Sequence, residues 1–158
     1  MNANMKKCKP WLSFIFWILL CQLPAFIGTG AVQNHLDWYH SLRQPPFAPP
    51  DWLFGIMWGI LYILMGVTGF LISRRGGNAA NTSLFILQLL LNAAWTPVFF
   101  AAHAPATALA ILLATLLCAG WLAARLSKEN RTAAYLLLPY LLWLLFAGYL
   151  NAGIWWIN

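Results

Sequence analysis

The sequence predicts an all-α membrane protein, a five-helix transmembrane bundle. Three observations carry that expectation. Only 8% of the residues are charged and 62% are hydrophobic, whereas about a quarter of a soluble domain is charged. Five apolar runs are each long enough to cross a bilayer, for which about 20 residues suffice. The stretches between them are short and rich in proline, glycine or basic residues, the residues of turns. One domain over residues 1–158 is expected, with spans at about 11–33, 51–73, 82–102, 106–126 and 132–157.

The chain opens on a short basic tail carrying Lys6, Lys7 and Lys9. The first apolar run follows from Trp11. It starts like a signal peptide but continues too long for one. Pro24, Gly28 and Gly30 fall in its second half, where a kink or a close helix contact is expected. Residues 33–50 form a connector with Pro45, Pro46, Pro49 and Pro50. Proline donates no backbone hydrogen bond and keeps the preceding residue out of the helical region, so a stiff, extended connector is expected. Asp51 is a good N-cap for the second span. Arg74, Arg75, Gly76, Gly77 and Asn78 make the next turn. Pro97 should bend the third span, and the short link from His103 to Pro105 makes a tight hairpin with the fourth. Pro139 lies inside the fifth span. No internal repeat is visible, which weighs against an inverted-repeat transporter.

Eight of the nine basic residues (Lys6, Lys7, Lys9, Arg74, Arg75, Arg125, Lys128 and Arg131) fall on one side of such a bundle, and only Arg43 on the other. For a bacterial inner-membrane protein, the expected location, this asymmetry predicts a cytoplasmic N-terminus and an outer C-terminus. The net charge of +6 therefore reads as membrane orientation, and no nucleic-acid partner is expected.

Several chemistries are disfavoured. No Asp, Glu, Lys or Arg lies mid-span, as ion-coupled transport would require. Cys8, Cys21 and Cys118 have no CxxC spacing and read as small core residues. His35, His40 and His103 lack metal-ligand spacing, so no metal is expected. The hydroxyl residues have no base partner for nucleophilic catalysis.

What remains is polar and aromatic residues at helical spacing. Trp58, Tyr62 and Met65 share a face of the second span. Gln88, Asn92, Trp95 and Phe99 share one of the third, and Tyr140, Trp143, Ala147 and Asn151 one of the fifth. Amides in hydrocarbon need partners, so these faces should point inward. Two readings stay open. The polar groups serve only as hydrogen bonds between helices, or the three faces line an apolar cavity with a few polar handles, suited to a planar hydrophobic ligand.

The segments WYHSLRQPPFAPPDW, FGIMWGILYILMG, LNAAWTPVFF and LLLPYLLWLLFAGYLN occur in that order and resemble the signature segments of the TspO/MBR family. That family comprises the tryptophan-rich sensory proteins and the translocator or peripheral benzodiazepine receptor proteins. The resemblance covers nearly the whole chain from about residue 20. It implies a five-helix homodimer in lipid that binds porphyrin-type tetrapyrroles, such as protoporphyrin IX or haem, between its helices. No bound cofactor is implied beyond such a ligand. By position, Trp38, Tyr39, Pro49 and Pro50 match the loop that lids the pocket. Trp58, Asn92, Trp95, Trp143 and Ala147 match its walls. Trp58 and Trp143 also match a pair linked to light-dependent porphyrin breakdown in some members, the one catalytic role the resemblance offers. Trp95 stands where some bacterial members have Phe. The sterol motif of animal members needs a basic residue after a tyrosine, and none follows Tyr149.

Overall fold

The structure, a computed structural model, describes residues 9–74 and 78–158. The basic residues Lys6, Lys7 and Arg75, the thiol of Cys8 and the Gly76–Gly77 turn lie outside the described residues. Six helices are present among those described: α1 (Pro10–Asn34), α2 (Leu36–Ser41), α3 (Asp51–Arg74), α4 (Ala79–Phe100), α5 (Pro105–Glu129) and α6 (Arg131–Ile157). All but α2 are long and apolar enough to cross a membrane, as the apolar runs require. The largest boundary differences are three residues: α5 ends at Glu129, beyond the expected 126, and α4 begins at Ala79, before the expected 82. Asn78 caps it by accepting a hydrogen bond from the Ala80 N–H at 3.1 Å.

The connector differs from its sequence-based description. Residues 36–41 form a turn and a half of helix, and the connector is non-helical from Leu42 onward. The prolines begin at Pro45, too late to stop a helix over LDWYHS. Within the extended part, the Ala48 N–H donates to the Pro45 carbonyl at 3.3 Å. Phe47 takes a positive φ of 63° at the third position of this turn, where glycine is the usual occupant.

The five long helices close a ring in the order α1–α3–α6–α5–α4, with a smaller contact between α3 and α4. Hydrocarbon is as apolar as leucine, so close packing rather than expulsion from water holds such helices together. Small residues set the close approaches. A Cβ added at Gly66 would stand 2.8 Å from the Ile18 Cα, and one at Gly69 would stand 2.5 Å from the Trp17 ring. A Cβ at Gly28 would meet Thr96 at 3.2 Å, whereas one at Gly30 meets nothing within 4 Å. Of the two glycines in the second half of α1, only Gly28 makes the close contact. Phe85, Leu61, Met65, Leu122 and Leu137 fill the space between the helices. Cys21 and Cys118 are buried free thiols.

Polar residues fasten one end of the ring. Arg125 Nε donates to Asn81 Oδ1 at 2.7 Å, and Asn81 Nδ2 donates to Glu129 Oε2 at 2.7 Å. Asn130 Oδ1 accepts from the Ala133 N–H and caps α6. This joins the start of α4 to the end of α5, where two antiparallel helices would otherwise fray apart.

The Gly66 contact yields a stability prediction. Gly66→Ala forces the α3 and α1 backbones apart and lowers stability by about 1–3 kcal/mol. Gly120→Ala, with nothing within 4 Å of the new methyl, is neutral or stabilising because it removes a flexible glycine from a helix. Thermal melting in detergent compares them; equal melting of the two variants would show that the close α1–α3 contact does not hold the bundle.

Candidate functional site: a lidded aromatic cavity

α1 and α3 touch where Ile18 meets Gly66 and stand apart at their other ends. Added methyls at Gly55 and Gly59 of α3 would meet nothing within 4 Å. A cavity of about 360 Å³ occupies the space this leaves, with walls from α1, α3, α4 and α6 and α2 across its mouth. That volume lies within the range of small-molecule sites. α5 contributes nothing to it. Pro24, Ala25, Gly28, Thr29 and Val32 form most of the α1 wall, with Gln33 next to the lid. The short side chains among them leave the room that the aromatic walls opposite surround.

The α3 wall carries Phe54, Trp58 and Tyr62, and the α4 wall carries Trp95, Thr96, Phe99 and Phe100. Spacing of three and four residues puts each set on one helical face. Trp58 stacks over Tyr62 with ring centroids 5.4 Å apart, and its centroid is 6.3 Å from that of Trp95. Ala147, Leu150, Asn151 and Ile154 complete the α6 wall. The lining is mostly apolar, with few polar groups.

Three hydrogen bonds tie the polar groups of the walls to neighbouring helices. Tyr62 Oη donates to Asn92 Oδ1 at 2.8 Å, linking α3 to α4. Trp95 Nε1 donates to Asn151 Oδ1 at 3.0 Å, and Asn151 Nδ2 donates to the Pro105 carbonyl at 2.8 Å. The Asn151 amide therefore serves α4, α5 and α6 together. Below the cavity, Tyr140 Oη donates to Gln88 Oε1 at 2.8 Å. Two buried donors, Gln88 Nε2 and Trp143 Nε1, have no partner among the described residues.

The lid is seated on α4 and α6. Trp38 packs edge-on against Phe99, with centroids 5.8 Å apart, and Tyr39 packs against Phe99 and Phe100. Burial, and then the Asp51 carboxylate, push the Tyr39 phenol above its ordinary range, so it is a neutral group at the mouth. Beyond α2, Pro45 is buried against Gly153, where a Cβ would come within 2.7 Å of the proline ring. Tyr149 Oη donates to the Pro46 carbonyl at 2.9 Å. Asn158 brackets Arg43, accepting from its N–H at 2.9 Å and donating to its carbonyl at 3.1 Å. His40 and Asp51 are 2.7 Å apart, bridging α2 to the start of α3.

The residues singled out in the sequence divide in two. Tyr39, Trp58, Tyr62, Trp95, Ala147 and Asn151 line the cavity. The others do not. Asn92 is held behind Tyr62, while Gln88 and Tyr140 bond each other deeper in the bundle. Trp143 stands one ring back, with centroids 5.7 Å from Phe54 and 6.5 Å from Trp58. Trp38 clamps α2 to α4, and Pro49 belongs to the connector. Sequence reasoning passed over the α1 wall, because most of its residues are small and none is aromatic. The only hint was the cluster of Pro24 and Gly28.

The chain matches the TspO/MBR family over residues 16–157. It is 37% identical over 155 residues to a translocator protein of Bos taurus, covering 94% of this chain and 92% of that one. A tryptophan-rich sensory protein of Cereibacter sphaeroides is 33% identical over 141 residues, covering 89% and 88%. The tryptophan-rich protein TspO of Chlorobaculum tepidum is 37% identical over 158 residues, covering 95% and 98%.

The deep phenol–amide pair is open to a double-mutant cycle. Tyr140→Phe leaves the buried Gln88 oxygen without a donor and destabilises by about 1–3 kcal/mol. Gln88→Met strands the Tyr140 hydroxyl at similar cost. The double variant is less destabilised than the two effects added together, because no polar atom is left alone. Strict additivity in thermal melting would show that the bond contributes nothing.

Proposed function

As this chain belongs to the TspO/MBR family, we propose that it is a multi-pass membrane receptor or carrier holding a flat, hydrophobic, tetrapyrrole-class ligand in the cavity beneath α2. The observation that carries this reading is the cavity itself: about 360 Å³, walled by Trp58, Trp95, Phe54, Phe99 and Phe100. Aromatic walls favour planar guests through offset and edge-to-face packing. The ionisable groups of the lining are the Asp51 carboxylate and the Tyr39 phenol, both at the mouth, and the deeper Tyr62 phenol, already committed to Asn92. A tetrapyrrole macrocycle is larger than the enclosed space. Its ring plane would extend through the gap beside Gly55 and Gly59, which no side chain closes. Its acidic substituents would then lie near the mouth, in reach of water.

The names of the relatives fit a protein that binds and hands on, or binds and reports. A second reading rests on the Trp58–Trp143 pair, perpendicular with centroids 6.5 Å apart. A pigment excited by light against Trp58 would have a readily oxidised indole beside it and a second behind, so breakdown of bound porphyrin would need illumination. In either reading, the end of the bundle bearing Lys9, Arg74, Arg125, Lys128 and Arg131 faces the cytoplasm and the lid faces outward.

Two measurements test the reading. Protoporphyrin IX titrated into detergent-solubilised protein quenches tryptophan fluorescence saturably, and Trp58→Ala weakens binding tenfold or more, about 1.4 kcal/mol. Unchanged affinity in that variant would remove the guest from this cavity. For orientation, a reporter that is active only in the cytoplasm is fused after Asn158; it should be silent, and a strong signal would invert the assignment.

A further inference from the structure

Sixty-eight positions apart in sequence, His35 and His103 meet at the outer rim of the lid. His35 Nδ1 and His103 Nε2 are 3.2 Å apart, with the rings nearly perpendicular at 82°. His35 occupies the junction between α1 and α2. Its N–H donates to the Val32 carbonyl, and its own carbonyl accepts from the Tyr39 N–H. His103 sits in the short turn between α4 and α5 with a positive φ of 50°, a conformation that costs energy in most residues. Its ring stacks on Trp38 with centroids 4.1 Å apart and planes 14° from parallel. Two imidazoles on separate elements are thus held close together by backbone hydrogen bonds on one and an indole on the other.

We propose that His35 and His103 form a two-histidine site for a first-row divalent transition metal of the zinc or copper class, one that fastens the start of α2 to the α4–α5 turn. With nitrogens about 2.0–2.1 Å from a zinc ion, a 3.2 Å separation corresponds to an N–metal–N angle of roughly 100°, near tetrahedral. Imidazole nitrogen is a preferred donor for these metals. A modest swing of either ring converts a contact between the two nitrogens into one shared with the ion. Both residues are accessible from the aqueous face, His103 being exposed and His35 partly so. No group of three or more His, Cys, Asp or Glu that could hold a metal occurs among the described residues. Water or an exogenous ligand therefore fills the remaining positions, and binding is weaker than at a closed structural site. The metal joins the two elements that Trp38 already joins, so it adds to the hold on the lid without entering the cavity. His40, paired with Asp51 on the opposite end of α2, is not a ligand.

Zn²⁺ titrated calorimetrically into the full-length protein, in a buffer that does not bind metal, tests this directly. One ion per chain is expected. His35→Gln and His103→Asn should each weaken it at least about tenfold, while His40→Ala leaves it unchanged; asparagine at 103 tolerates the positive φ. With Cu²⁺, the electron paramagnetic resonance spectrum should carry the splitting of two equivalent-class nitrogens, reduced to one in either variant. Zn²⁺ should raise the melting temperature of the wild type and of neither variant. A variant that melts lower without metal still reports, because the readout is the metal-induced shift. Absence of binding in the wild type, binding unaltered by both substitutions, or binding lost with His40→Ala would each overturn the proposal.

Discussion

The cavity depends on an asymmetry in one helix pair. α1 and α3 approach backbone to backbone where Ile18 fills the hollow at Gly66. Toward the lid they stand apart, and both lend residues to the cavity wall. Close contact at one end and separation at the other describe a single crossing, with Pro24 of α1 lying between the Ile18 contact and the lid. Bulk at Gly66 or Gly69 would move that crossing and with it the width of the opening. The residues that size the site are therefore glycines about one to two turns beyond Tyr62, the lining residue nearest to them on α3.

A second constraint comes from the surrounding solvent. Lipid supplies no hydrogen bonds, so each amide placed inside the ring must find its partner on another helix. Asn92 takes the Tyr62 hydroxyl, Gln88 takes that of Tyr140, and Asn151 serves an indole and a carbonyl at once. Each bond joins two different helices, which fixes register as well as proximity. The same bonds orient Tyr62 and Trp95, which are also wall residues. Rigidity of the walls and cohesion of the bundle thus come from the same contacts.

Much of this was legible in the chain. Spacing alone put Trp58 with Tyr62, and Ala147 with Asn151, because 3.6-residue periodicity is local. The five apolar runs gave the five spans for the same reason. Depth was not legible. Gln88 and Tyr140 share faces with wall residues but sit lower, and periodicity around a helix says nothing about which turn reaches a void. The α1 wall was missed because a hollow is made by what is small, and Ala25 or Gly28 looks the same whether it faces space, lipid or another helix. The short α2 is not legible because six residues are too few to show a helical period, and the prolines that follow impose extension only from Gln44 onward. The meeting of His35 with His103 is a product of ring closure, invisible to any local pattern.

The proline-stiffened strap has few N–H groups to offer but keeps its carbonyls, and α6 answers with side chains: Tyr149 to Pro46, Asn158 to Arg43, and at Gly153 bare backbone where Pro45 settles. The last two turns of α6 thus act as a latch plate rather than as one more membrane crossing. Anything that tugs on or shields that terminus is transmitted to the mouth of the cavity without touching it, so the tail of the chain and the entrance to its interior behave as a single mechanical part.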